Sequence, residues 1–184
     1  AEVEELYRPY KQKKKTRATE AKRKGLEPFA QWLQQTNIDT SVETKAQQFI
    51  NDEVTSVEDA IKGAQDIIAE IVSDKPIYRS KILKDTFQQG NIITQKKKHA
   101  EDEKEIFSMY YDYTEPIKKI ANHRVLAVNR GEKEKVLSVK IEMDIQGIEN
   151  FIRSKEISSE HNGTYVIIDA IKDSLKRLIM PSIE

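Results

Sequence analysis

Three histidines, His99, His123 and His161, and no cysteine make up the chain's stock of imidazole and thiol chemistry. The histidines are far apart, and none forms a close ligand pair of the H-E-x-x-H kind. They read as surface or capping residues, and no metal is expected. Without cysteine there is no disulfide framework, thiolate metal site or cysteine nucleophile, which fits a reducing cytosol. The sequence has no G-x-S-x-G elbow and no glycine-rich or G-x-x-x-x-G-K-[ST] phosphate loop. Glu101, Asp102, Glu103 and Glu105 form an acidic run that could hold Mg²⁺. Nothing in their spacing fixes a coordination geometry, so the run reads as a solvated loop. The expectation is a protein that is not an enzyme and needs no cofactor.

Phosphate recognition is the chemistry that the residue types do offer. From Arg8 to Gly25 the chain places nine Lys or Arg against one acid, Glu20. Within "KQKKKTRATEAKRKG", Lys11, Lys13, Lys14, Lys15 and Arg17 lie in or beside a loop. Lys22, Arg23 and Lys24 follow one or two turns later. Bases from a loop and a helix together make a phosphate-binding surface, salt-sensitive and tolerant of sequence. Tyr7 and Tyr10 offer a stacking face or belong to the core. The competing reading is that the acidic block 41–74 neutralises this stretch inside the fold. A second candidate is "HRVLAVNRGEKEK", where helical spacing sets His123 and Arg130 two turns apart, with Arg124 near the N-terminus. Arginine at a helix end holds a phosphate or carboxylate bidentately. The structural alternative, an arginine clamping an acidic neighbour or a helix C-terminus, is favoured by spacing alone.

The elements that must carry these residues are mostly helical. Of 184 residues, 34% are charged and only six are Gly and five Pro, which favours helices. The formal net charge is zero, but it hides blocks. Residues 1–40 carry +3, 41–74 carry −6, 75–98 carry +6, 101–115 carry −5, 116–140 carry +5 and 141–184 carry −3. A balanced total argues against a protein held on nucleic acid by its overall field, while leaving room for a local patch. No apolar stretch approaches the roughly 20 residues of a membrane span, and no signal-peptide pattern opens the chain. A soluble, cytoplasmic protein is expected. The chain starts at Ala1 without Met and ends at "MPSIE" within a helical pattern, so it reads as a piece of a longer protein.

Val3, Leu6, Tyr7 and Tyr10 have helical spacing that Pro9 limits. Thr16 is an N-cap for a short helix to Lys24, closed by Gly25. Pro28 opens a helix with Leu26, Phe29, Ala30 and Leu33 inward. Ser41 starts one with Val42, Ala46, Phe49 and Ile50 on one side. Ser56 and Asp59 form a loose capping box before the stripe Ala60, Ile61, Ala64, Ile67, Ile68 and Ile71. Pro76 opens a helix to about Gln89 with Ile77, Ile82, Leu83 and Phe87 apolar, closed by Gly90. "NIITQKKK" and "KVLSVKIEM" pair as strands, with Val139, Ile141 and Met143 on one face. Between them Pro116 starts a short helix, Asn122 caps one from His123 to Arg130, and Gly131 stops it. Ile148, Phe151 and Ile152 mark a further helix. Tyr165, Ile168, Ile171, Leu175 and Leu178 mark the last, which Pro181 kinks or ends. The expected fold is mainly α and multihelical, with a small two-stranded β element in the middle. Its expected parts are an N-terminal helical region 1–90, a mixed α/β segment 91–143 and helices over 144–184.

"EELYRPYKQKKKTRATEAKRKGLEP" and "EPIKKIANHRVLAVNRGEKEKVLSVKI" resemble signatures of the bacterial Tex family of transcription accessory proteins. "YDYTEPI" and "DSLKRLIMPSIE" resemble their Tex counterparts in the same order. The segments around 5–28 and 115–141 are specific, while 36–90 is similar in pattern. The resemblance implies a helical N-terminal and central region, upstream of a YqgF-type ribonuclease-H-like domain, helix-hairpin-helix elements and an S1 domain. It implies a transcription-related parent that binds RNA or DNA, largely through its S1 domain, and acts on the transcription machinery. It assigns no catalytic residue to any matching position. Three readings remain: a scaffold or protein-interaction module, direct phosphate-backbone binding through 11–24, and, last, an enzyme.

Overall fold

The computed structural model describes residues 15–35 and 38–183. The expected helical segment around Val3 to Tyr10, and Lys11, Lys13 and Lys14, lie outside the described residues. The chain divides into two units, one made of residues 1–79 and 149–184, the other of residues 80–148.

The first unit is built on helix α4, Val57–Ser73. Ser56 accepts from the Asp59 N–H at 3.1 Å and caps it, while the Asp59 carboxylate accepts from the Thr55 hydroxyl at 2.8 Å. Ala60, Ala64, Ile67, Ile68, Ala69 and Val72 are buried along one face. Small residues let neighbours close in: a Cβ on Gly63 would sit 2.3 Å from Leu26 Cδ1. Around α4 stand α1 (Arg17–Arg23), α2 (Glu27–Leu33), α3 (Val42–Ala46) and a later helix, Thr164–Asp173. Leu26, Phe29, Ala30, Leu33, Val42 and Ala46 are buried as expected, whereas Ile50 is exposed. The Ser174 hydroxyl donates to the Ala69 carbonyl at 2.7 Å and is fully buried. Helix α5, Pro76–Gln89, follows α4. Its apolar side is not the expected one: Leu83 and Phe87 are 55% and 61% exposed, and Ile77 is exposed too. Ile82 is buried as expected, and Tyr78, one turn before it on the helix, is buried too. Glu156 accepts from the Tyr78 hydroxyl and from Lys75 at 2.7 Å, which lets Tyr78 be buried.

The second unit holds a three-stranded antiparallel sheet in the order β2–β1–β3. Strand β1 is Asn91–Lys96, β2 is Asp112–Pro116 and β3 is Leu137–Glu142. The expected pairing of β1 with β3 is present, with Ile92 opposite Ile141 and Thr94 opposite Val139. Strand β2 is additional, pairing Ile93 with Thr114 on the other side of β1. Pro116 ends β2, where no ladder N–H is needed, and a 3₁₀ turn, Ile117–Lys119, follows it. Phe107, Tyr110, Val128, Val136 and Leu137 form the core, with Ile92, Tyr113 and Val139 against it. Ile141, expected on the packed face, is exposed.

Helix α6 runs Asn122–Lys133 with Ala121 as its N-cap, so Gly131 does not stop it. Gly131 is buried inside the helix, where a Cβ would meet Leu137 Cδ1 at 2.4 Å and Phe107 Cδ1 at 3.1 Å. Close approach, not positive φ, requires this glycine. Gly25, by contrast, has φ +88° and closes α1 as expected. Helix α7 is Ile145–Glu156 and α8 is Thr164–Asp173. The chain then widens into π turns over Ser174–Ile179 and continues as α9, Met180–Ile183, through Pro181. Widened turns relieve the clash between a proline ring and the carbonyl four residues earlier. Among the described residues no helix is long and apolar enough to cross a membrane.

Candidate nucleic-acid interface

The described part of the basic stretch is helix α1 and its cap. Thr16 and Thr19 form a reciprocal capping box, with Thr16 Oγ1 accepting from the Thr19 N–H at 3.1 Å and Thr19 Oγ1 from the Thr16 N–H at 2.7 Å. Thr16 Oγ1 also donates to Glu70 Oε2 at 2.8 Å, tying the cap to α4. A seven-residue helix is marginal by itself, and Ala18 and Ala21, both buried, seat this one on the core.

The bases on α1 divide by partner. Arg23 donates from Nε to Glu20 at 2.9 Å and from Nη1 to Glu53 at 3.0 Å, with a further Nη2 bond to each. Those hydrogen bonds, the Glu53 one foremost, raise the Arg23 pKa and lower those of Glu20 and Glu53. Lys15 lies 3.3 Å from the other Glu20 oxygen. Arg17, Lys22 and Lys24 are bonded through no side-chain atom to a described carboxylate, though Lys24 gives its carbonyl to Asn51 at 3.1 Å. Arg17 and Lys24 line a cavity of about 340 Å³ with Lys62, Glu20, Glu53 and Asp66. Its wall holds four carboxylates, counting Asp59, against three bases, a balance that does not attract a polyanion. The Lys62 ammonium lies 3.3 Å from Asp66 Oδ1, an atom that is buried and accepts no hydrogen bond. That geometry is an ion pair poorly aligned for a hydrogen bond.

The second candidate is not one site. Arg124 donates from Nη1 to the Tyr113 hydroxyl at 2.7 Å and to Glu115 Oε2 at 3.4 Å, and Tyr113 donates to Glu115. Its guanidinium also lies 5.9 Å from the Tyr113 ring centroid. Helix α6 is thereby fastened to β2 through a hydrogen-bonded triad. Arg130 Nε donates to Glu134 at 3.1 Å on the helix surface. His123 is exposed in the first turn of α6. The three residues are not brought together on one ligand, and none lies in the same unit as α1. The acidic partners Glu53, Glu70 and Glu115 are the residues that the sequence reading left unnamed. Their only signal was the alternation of charge blocks.

The acidic run is structural in part. Asp102 accepts from the N–H groups of Ile106 at 3.1 Å and Phe107 at 2.9 Å, and from the Tyr111 hydroxyl at 2.8 Å. These bonds, the Phe107 one foremost, hold its carboxyl below the ordinary value. The Tyr111 hydroxyl is pushed up to about 12 by its bond to Asp102.

Comparison with known proteins gives this architecture a family. The family model described as Tex central region-like matches residues 37–170, which includes the 115–141 segment and leaves α1 outside. The chain is 47% identical over 187 residues to the uncharacterized protein YdcI of Bacillus subtilis, covering all of this chain and 26% of that protein. It is 34% identical over 139 residues to the transcriptional accessory protein Tex of Neisseria gonorrhoeae, covering 76% of this chain and 18% of that one. It is 27% identical over 199 residues to the human S1 RNA-binding domain-containing protein 1, covering 98% and 19%. The chain thus spans about a quarter of the length of the first relative and less than a fifth of the others named here. Matched by the central-region model over most of its length, the chain belongs to the Tex family.

Proposed function

We propose that the chain is the helical scaffold of a transcription accessory protein that works on nucleic acid in the cytoplasm. Its own part is to hold neighbouring domains and to offer a surface to the transcription machinery. It performs no covalent chemistry and carries no cofactor. The observation that carries this reading is the double engagement of Arg23 by Glu20 and Glu53, which occupies one guanidinium of the basic stretch with carboxylates of the chain itself. The capping link from Thr16 to Glu70 has the same sense. The names of two relatives, a transcriptional accessory protein and an S1 RNA-binding domain-containing protein, support the nucleic-acid setting.

Under the alternative, Lys11, Lys13, Lys14, Lys15, Arg17, Lys22, Arg23 and Lys24 grip the phosphate backbone directly. The two readings separate in a pair of variants. Arg23→Ala should lower the melting temperature measured by circular dichroism and leave nucleic-acid affinity unchanged. A folded Lys13→Ser/Lys14→Ser/Lys15→Ser/Arg17→Ser variant that loses salt-sensitive RNA binding in fluorescence anisotropy would return the role to the opening stretch.

A further inference from the structure

Among the described residues, most arginines and several lysines are tied to carboxylates: Lys15, Arg23, Lys62, Lys75, Lys81, Arg124, Arg130, Arg153 and Arg177. Many other described lysines carry no such pair, and four of these gather at one corner of the second unit. The β1–β3 ladder ends with Lys96 opposite Leu137. The Lys97 N–H then extends it, donating to the Val136 carbonyl at 2.8 Å. The next residues outward on the two chains are Lys98 and Lys135, and Lys133 is the last residue of α6. Two stretches far apart in sequence thus bring Lys97, Lys98, Lys133 and Lys135 to one end of the sheet. All four are exposed, and none forms an ion pair with a described residue. Lys96 is excluded, because its ammonium lies 5.0 Å from the centroid of the Tyr111 ring. Of the acids on the same turn, Glu134 is held by Arg130 at 3.1 Å. Glu132 remains, and Glu101, Glu103 and Glu105 lie further along the loop after β1.

The backbone adds a second observation. Helix α6 ends in a Schellman motif: the Lys135 N–H donates to the Glu132 carbonyl at 3.1 Å and the Val136 N–H to the Gly131 carbonyl at 3.0 Å. The C′ position of that motif is left-handed and normally glycine. Here it is Lys135, with φ +63°. The helix macrodipole accounts for a base at Lys133, but not for a long cation where glycine relieves the backbone. A strained non-glycine residue at such a position is the kind of departure that marks function.

We infer that Lys97, Lys98, Lys133 and Lys135 form a contact for the phosphate backbone of RNA or DNA, separate from the opening basic stretch. This rests on the nucleic-acid setting proposed above and names the surface that would meet it. Four ammonium groups with no ion pair among the described residues release counterions on binding, so affinity should fall steeply with salt.

The test is fluorescence anisotropy of the 184-residue chain with labelled single-stranded RNA, single-stranded DNA and duplex DNA over a salt series. The chain should bind. A Lys97→Ser/Lys98→Ser/Lys133→Ser/Lys135→Gly variant should flatten the slope of log affinity against log salt, by about 0.7 per lost contact on single strands and about 0.9 on duplex. Lys135→Gly alone should melt at the same or a higher temperature, because glycine suits the left-handed site, yet lose about one contact's worth of slope. Weakened binding by a more stable protein cannot be a folding defect. No binding by the unmodified chain at low salt, or an unchanged slope in the four-site variant, overturns the proposal and leaves the scaffold reading intact. Equal affinity for poly-glutamate reassigns the corner to acidic protein and overturns it as well. Loss of binding on changing Lys13, Lys14, Lys15 and Arg17 instead overturns both readings.

Discussion

Asp102 sits among four acids with nothing in its spacing to set it apart, yet its carboxylate organises the loop that delivers Phe107 to the core of the second unit. The carboxylate binds its proton more weakly in the folded chain than in the unfolded one, chiefly because the Phe107 N–H donates to its charged form. The contribution to stability is therefore complete above the unfolded carboxylate value of about 4 and is lost as the pH falls through the lower folded value. Tyr111 acts at the other end of the scale. Its hydroxyl, raised to about 12 by donation to Asp102, contributes fully below the unfolded value of about 10 and loses its effect as the pH rises through about 12. Asp102→Asn should melt below the unmodified chain near neutral pH, and the gap should close on acidification below about pH 4. Thermal melts of both proteins over a pH series would read this directly. A constant gap would mean that the ionised carboxylate is not what holds the loop. At this scale Arg124 makes the same point. Its charge was visible in the sequence, but its Tyr113 and Glu115 partners come from a strand that local spacing did not reveal.

Helix starts and inward faces were legible where local chemistry decides them. Thr16 and Ser56 cap as their types dictate, Pro28 opens α2, and Leu26, Phe29 and Leu33 are buried. The readings fail where a neighbour from elsewhere decides. Of the apolar residues read on α5, Ile82 is buried but Leu83 and Phe87 are not, and Tyr78 is buried instead, with Glu156 satisfying its hydroxyl. Strand β2, "DYTEP", is short, charged and ends in proline, so nothing local marks it as part of a sheet. Gly131 is the sharpest case. Glycine after a helical run reads as a stop, whereas here it lets α6 pass close to β3. Gly131→Ala sets two effects against each other. Alanine is the better helix former by about 1 kcal/mol. The added methyl, though, lies 2.4 Å from Leu137 Cδ1 and 2.8 Å from its Cγ. Leu137 is fully buried and cannot swing into solvent, and overpacking of this kind costs typically 1–3 kcal/mol. The expected result is net destabilisation of about 1 kcal/mol in urea unfolding. A gain in stability would mean that the helix and strand separate easily at this point.

The chain carries one tryptophan, Trp32, on α2 of the first unit. Its ring lies 6.1 Å from that of Phe29 and takes the Lys45 ammonium at 5.6 Å, so its fluorescence reports the packing around α2 and α3. Far-ultraviolet circular dichroism reports helices of both units. Leu137 lies in the core of the second unit, fully buried among Phe107, Val128 and Val136. Leu137→Ala should remove about 2–5 kcal/mol from that core through lost transfer energy and the cavity left behind. Effects at sites without shared partners do not propagate as energies. The dichroism transition in urea should therefore split or broaden toward lower denaturant while the Trp32 midpoint stays in place. If both signals moved together, the chain would unfold as one cooperative body, and the sequence would be specifying a single stability, not two. This bears on the proposed scaffold role. Units that prove independently stable would tolerate change at the lysine corner of one without loosening the Arg23–Glu20–Glu53 pairing in the other. On that basis the salt dependence of binding and the stability of the first unit should vary separately between the lysine-corner variants and Arg23→Ala.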